Sequence, residues 1–386
     1  MSDRVAATGL PDSVVSWAAY DGVPLLHTLA RAMRELEALD GLDRFTLPYP
    51  DAAQHALDRT AVVCLLRGER PPASLAELVD RCRSIALEDW PLRLPPDAVG
   101  PGDYLLDEFS GRPTELCHEW VDRGPDPAVR HRDRQVISTA LTLCQRYGEE
   151  QAYSAFRGLL VREPVLTASG MFAVLGNMVL EPVHDLLRIV YRPVPDAYLR
   201  GGAYRACGRC LTLLVPVGRD EWWCERDRCR GLGAPPPGQV FDAGDAGAVL
   251  QLERSLRQFV TGPGRAEVEL EEELRALGLD IVMWPGYDAY DLLITFPDGW
   301  RWAVDVKDRA HPYFLGREAR PVRPDPPYDE VFWVVPRHRV EARPGYLAAF
   351  KRGRPASAAE LELLTDTDLV ARASWRLRTS KGASGA

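Results

Sequence analysis

The sequence predicts a multi-domain protein, helical first and α/β afterwards, and three observations carry that expectation. Apolar residues recur at helical spacing through roughly the first 200 positions. Four cysteines then crowd into residues 207–229. From about residue 248 the pattern becomes helix, strand, strand, strand, helix or loop, strand, which is the order of a compact α/β unit. The expected divisions are a helical interaction or scaffold domain at 1–200, a four-cysteine ribbon at 201–235, an α/β domain at 248–355 and a C-terminal extension at 356–386. A chain of 386 residues is long enough for two or three separate cores.

In the first region Leu25, Leu26, Leu29, Met33, Leu36 and Leu39 form one helical stripe, and similar periodicity covers 51–67, 74–88, 130–147, 149–162 and 168–191. The Gly/Pro-rich stretches at 94–103 and 123–128 separate these helices. His27, His55, His118, His131 and His184 are scattered, so packed or surface roles are expected of them. No catalytic constellation stands out in this half.

Cys207-x2-Cys210 and Cys224-x4-Cys229 flank thirteen residues with two strand-like stretches, 211–217 and 221–224. A two-residue gap lets a tight knuckle aim both sulfurs at one ion, and four thiolates suit tetrahedral Zn²⁺ in a structural role. Arg205, Arg209, Arg226, Arg228 and Arg230 surround the pairs. The run at 231–238 reads as a linker stiffened by its prolines.

The chemistry concentrates further on. The chain has three lysines against 44 arginines, so a lysine marks a position where a compact, tunable ammonium is wanted over a fixed guanidinium fork. Lys307 follows such a strand, Trp300-Arg-Trp-Ala-Val-Asp-Val-Lys307, after Tyr290-Asp-Leu-Leu-Ile-Thr-Phe296 and a Pro297-Asp298-Gly299 corner. That corner suits a three-residue hairpin loop with Gly299 left-handed. It pairs Phe296 with Trp300, Ile294 with Trp302, Leu292 with Val304 and Asp291 with Asp305. Opposed residues lie about 4.5–5.5 Å apart and share a face, and alternation brings Lys307 to the face of Asp305. Two adjacent carboxylates are unfavourable unless a cation bridges them, and a hard oxygen set of this kind suits Mg²⁺ or Mn²⁺. Upstream, Glu267–Gly278 reads as an amphipathic helix with Leu270, Leu274 and Leu277 buried. Glu267 is the glutamate best directed at the core, with Glu271 second. Strand alternation sets Asp288, the other candidate first acid, on the face opposite Asp291.

This ordered set of residues resembles the PD-(D/E)xK nucleases of the restriction-endonuclease-like fold, over roughly 250–340. The resemblance matches Asp291 and Asp305 to the two acids of the motif, Lys307 to its lysine and Glu267 to the helix acid; Tyr290 replaces the proline. It implies a restriction-endonuclease-like α/β core and a Mg²⁺-dependent endonuclease acting on DNA, with an RNA/DNA hybrid as a further substrate. The wider layout resembles the restriction-endonuclease component of pPIWI-RE systems. That implies a bacterial defence role against phage or plasmid and partners that include a Piwi/Argonaute-like protein and a helicase. Cutting both strands with one such site per chain calls for a homodimer. The rival classes are a non-catalytic module that grips nucleic acid and a protein-interaction scaffold.

Composition narrows the setting. A net charge of −9 speaks against indiscriminate coating of nucleic acid, although 307–354 carries eleven basic and six acidic residues, a stretch that could follow phosphates or simply face water. No apolar run approaches the ~20 residues of a membrane span, and MSDRVAATGLPDS lacks a secretory core. Cys64, Cys82, Cys117 and Cys144 read as a reduced interior, so a cytoplasmic protein away from membranes is expected. His311, four residues after Lys307, is expected in a loop, with entry into the site as its other use. Trp222, Trp223, Trp300 and Trp302 are expected to pack in the core or ribbon, with base stacking as their other use.

Overall fold

The computed structural model describes residues 17, 20–37, 39, 48–123, 127–244 and 247–383. The N-terminal stretch without a secretory core, and the side chains of 127–134 (His131 among them) and 380–383, lie outside that description. The chain forms two compact units, and residue 200 does not divide them. The first draws on residues up to Val129 with Ala310–Glu318 and Gly345–Pro355. The second takes Arg130–Arg309, Ala319–Pro344 and the chain from Ala356 onward.

The first unit is helical. Gly22–Glu37, Asp51–Leu66 and Leu75–Ser84 fall where the apolar spacing predicts. Leu25, Leu26, Leu29, Met33 and Leu36 are buried, whereas Leu39 lies past the helix end and is exposed. A helix at Glu115–Asp122 was not legible from periodicity because it is only two turns long; Thr114 caps it by accepting the Cys117 N–H at 3.1 Å. Two further helices, Pro312–Glu318 and Tyr346–Gly353, come from late in the chain. They approach backbone to backbone, since a Cβ on Gly353 would lie 2.5 Å from the Tyr313 carbonyl and one on Gly316 would strike that of Phe350. Glu119 accepts the N–H groups of Ala310 and His311 at 2.7 and 2.9 Å, which satisfies orphan donors ahead of the Pro312–Glu318 helix.

In the second unit Glu150–Arg162 is a helix as expected, but the helix expected over 168–191 breaks into Ala168–Leu175, a 3-10 turn at Met178–Val183 and His184–Val190. Gly176, the Asn177 cap and Pro182 interrupt it. Short strands on either side, Val165–Thr167 and Tyr191–Pro193, pair with Val249–Leu252, so the first 200 residues are not purely helical.

The ribbon pairs Ala203–Cys207 with Pro237–Asp242 and Val215–Val217 with Glu221–Trp223. The expected linker is therefore part of the ribbon. Pro237 opens its strand, where a missing N–H costs nothing, and the Pro236 carbonyl accepts the Gly208 N–H at 3.0 Å.

The last portion is a five-stranded sheet in the order Glu362–Thr365, Glu330–Val335, Arg301–Val306, Leu292–Thr295, Asp280–Met283. The first three of these pair in parallel and the other junctions are antiparallel. One face buries Leu292, Ile294, Trp302, Val304, Val306, Phe332 and Val334 with Leu270 and Leu274 of the Gly262–Ala276 helix. Leu369 and Ala373 of Asp366–Ala383 complete that core, so residues 362–383 are integral to the sheet and not an appended tail. No described helix is long and apolar enough to cross a membrane.

Candidate functional site

The Pro-Asp-Gly corner sets the hairpin register. Gly299 has φ 83°, its N–H reaches the Phe296 carbonyl at 2.9 Å, and the Phe296 N–H donates to Trp300 O at 2.9 Å. Ile294 then opposes Trp302 and Leu292 opposes Val304, which is the register the loop length demands. At Asp291 the regular ladder ends. Its N–H donates to Val304 O at 3.0 Å, and its carboxylate Oδ2 accepts the Val306 N–H at 2.6 Å. The side chain supplies the acceptor that a continuing backbone would have supplied, and this fixes the carboxylate beside the strand that carries Asp305. Alternation places Asp305 and Lys307 on the face opposite Val304 and Val306. There Lys307 Nζ meets Asp305 Oδ1 at 3.0 Å and lies 5.2 Å from the Trp333 ring centre.

Glu267 reaches the same group from the Gly262–Ala276 helix and is buried; it accepts the Trp284 indole N–H at 2.6 Å. Glu271 is instead held by Arg162 at 2.6 Å and Arg275 at 3.0 Å. Asp288 corrects a sequence expectation. It lies outside any strand, in a turn where Trp284, Gly286, Tyr287 and Asp288 all have positive φ, so strand alternation does not govern its direction. Three non-glycine residues in that region mark stored strain. The turn is secured by the Trp284 N–H on Asp291 O at 2.8 Å, the Gly286 N–H on Glu150 and the Tyr153 hydroxyl on Asp288 at 3.0 Å.

Two cations complete the cluster. Lys307 was legible; Arg157 was not. Arg157 comes from the Glu150–Arg162 helix, is buried, and lies 3.5 Å from Glu267 and 3.4 Å from Asp288. In a chain with 44 arginines nothing distinguishes it, and the only sequence signal is Tyr153 one turn earlier on the same face.

The electrostatics follow from burial. Burial pushes the Asp291 carboxyl well above the usual carboxylate range, and Glu267 and Asp305 push it the same way. Glu267 is also raised by burial, with Arg157 opposing and Asp288 adding. Loss of solvent disfavours the Lys307 ammonium, but Asp305 and Asp291 outweigh it and hold its pKa above the ordinary value. The acids thus carry more negative charge than they tolerate alone, which is the condition a divalent ion relieves. Asp291 and Asp305 are the hard oxygen donors suited to it.

The second site is plainer. Cys207, Cys210, Cys224 and Cys229 are buried and free, and their sulfurs all lie within 4.8 Å of one another. Cys210 and Cys224 sulfurs are 3.5 Å apart. A tetrahedral Zn²⁺ with bonds of about 2.3 Å needs sulfur edges of about 3.8 Å. Among the described residues this is the one group of three or more ligand-type side chains so tightly gathered.

The other residues weighed from the sequence lie outside this cluster. His311 is buried in the first unit, where its Nδ1 accepts the Phe314 N–H at 3.2 Å and its Nε2 donates to Ala98 O at 2.7 Å. Trp302 and Trp223 are buried, Trp222 lies between Arg200 and Arg205, and Trp300 is half-exposed under Arg376. The basic stretch 307–354 is no single stripe. Arg339 is buried on Asp308, Arg337 pairs with Glu341 and Arg352 grips Asp97.

Comparison with known families gives two matches. Residues 25–167 match the pPIWI_RE three-gene island domain Y, and residues 264–381 match the REase associating with pPIWI_RE. The second match begins in the Glu267 helix and ends in the helix after the fifth strand. No curated protein and no solved structure matches the chain at a significant level. The two matches, in that order, agree with the layout of a pPIWI_RE-associated REase component, a domain Y region ahead of an REase region.

Proposed function

We propose that the chain is a Mg²⁺-dependent endonuclease that hydrolyses phosphodiester bonds of DNA on a restriction-endonuclease-like core, with Zn²⁺ as structural support in the ribbon. One observation carries this reading: Asp291, Asp305 and Lys307 meet where two strands of one hairpin diverge, with Lys307 Nζ 3.0 Å from Asp305. Asp291 and Asp305 would hold the cation, which when bound supplies Lewis-acid polarisation of a phosphate oxygen and a more acidic water. Lys307, kept protonated by its acidic neighbours, acts as a fixed positive charge that orients the attacking water and stabilises negative charge growing on the phosphate. Glu267, tied to Trp284, fixes the helix against the strained turn and adds to the field on Asp291.

The family descriptions, a three-gene island and an REase associating with pPIWI_RE, support work beside a PIWI-like protein, with defence against invading nucleic acid as the setting. The test is cleavage of supercoiled and linear DNA with Mg²⁺ or Mn²⁺. Asp305→Ala and Lys307→Ala are each expected to lose at least about 10²-fold in rate, the size of effect seen when one charge-stabilising group is removed. Metal-dependent cleavage unchanged in both variants would exclude this site. Binding without cleavage under every metal would favour the gripping module instead.

A further inference from the structure

We propose that Arg157 is a built-in second cation, so that the acidic site takes one divalent ion and not two. The inference rests on the reading that Asp291 and Asp305 hold a divalent ion. Four carboxylates gather here, Glu267, Asp288, Asp291 and Asp305, and each influences its neighbours electrostatically. Lys307 and Arg157 contribute two positive charges. With all four acids ionised, as they would be around a bound ion, the remaining deficit of two charges is that of a single divalent ion.

Geometry divides the four acids into two pairs. Asp291 and Asp305 stand beside Lys307. Glu267 and Asp288 are spanned by Arg157, with a terminal nitrogen 3.5 Å from Glu267 Oε2 and Nε 3.4 Å from Asp288 Oδ2. The oxygens facing that guanidinium are already engaged, since Glu267 Oε2 also accepts the Trp284 indole N–H and Asp288 Oδ2 the Tyr153 hydroxyl. The guanidinium is itself confined. Its side chain is 9% exposed and lies 5.6 Å from the Trp284 ring centre, and Gly158 lets the helix pass close to that ring. A hydrated dication would have to expel a buried cation that Asp288 and Glu267 keep charged against the cost of burial, and the Glu267–Asp288 pair does not offer that exchange.

The experiment is Mn²⁺ titration of the full-length, zinc-loaded protein by calorimetry and electron paramagnetic resonance. Wild type is expected to bind one Mn²⁺ per chain, Arg157→Ala two, and Arg157→Lys one. Thermal melts cover the case in which Arg157→Ala folds poorly. Mn²⁺ is expected to raise its Tm by several degrees more than that of wild type, and this extra rise is expected to disappear in Arg157→Ala/Asp288→Asn. Two ions in wild type overturn the proposal. So does a single ion in Arg157→Ala without the extra stabilisation, a result that leaves the nuclease reading intact. No binding in any form of the protein overturns both.

Discussion

Asp291 shows what one buried acid does to the protein around it. Its carboxyl is raised by burial and by Glu267 and Asp305, so in the metal-free protein it holds a proton more tightly folded than unfolded. Across the interval from the ordinary carboxylate value of about 4 up to the raised folded value, the native state binds more protons, and stability falls as pH rises. Asp291→Asn keeps an oxygen for the Val306 N–H and removes the charge. It is expected to melt above wild type at neutral pH without metal, with the gap closing toward pH 4; melting curves that stay parallel across that range would contradict this. The same residue marks the limit of what the sequence shows. The three-residue corner made the register legible as far as Leu292 and Val304, but the expected opposition of Asp291 and Asp305 is not part of the ladder, which stops there. The bond from the Asp291 side chain to Val306 was not legible, because it replaces a backbone bond only where the ladder stops. Asp288 was misread for the same reason, since a left-handed turn has no alternating faces.

Among elements, the ribbon is fastened by side chains that lie between the two cysteines of its second pair. Glu225 makes a two-pronged pair with Arg257 at 2.6 and 2.9 Å, Arg226 reaches the buried Asp308 at 3.2 Å, and Arg228 meets Glu269 at 2.9 Å. Gly262 leaves room for the Arg226 guanidinium, where a Cβ would strike it. Asp308 directly follows Lys307, so an ion held by the four cysteines would steady the exit of the central strand along with residues 224–229. Removing zinc with a chelator is therefore expected to speed hydrogen exchange at 305–309 as well as in the ribbon. Exchange confined to 203–242 would show the two to be independent. The cysteine spacing made the four-sulfur cluster legible, whereas the proline run concealed a strand. Polyproline composition reads the same in a free linker and in a strand opened by proline, and only the partner strand separates the two.

At the scale of the whole chain, each unit is assembled from distant segments. Trp17 stacks on Tyr313 at 4.7 Å between ring centres, and Trp120 meets Phe314 at 4.8 Å, so the first unit's core needs residues beyond 310. The second unit needs the Glu150–Arg162 helix for Arg157 and Tyr153. A fragment ending at residue 200 is thus expected to lack a cooperative unfolding transition; one sharp transition would show the two late helices to be dispensable. Periodicity located most of these helices but not their allegiance, since an apolar stripe does not name the surface it covers. The domain Y match has the same property, running past Val129 to Thr167.

The helices Pro312–Glu318 and Tyr346–Gly353 also set a schedule for synthesis. Chains emerge from the ribosome N-terminus first, and most domains close in that order. Here residues 17–123 must wait for residues 312–353 before their interior is sealed. Nascent chains therefore carry uncovered tryptophan surface until those late helices emerge, and that interval is where holdase chaperones have the most to shield.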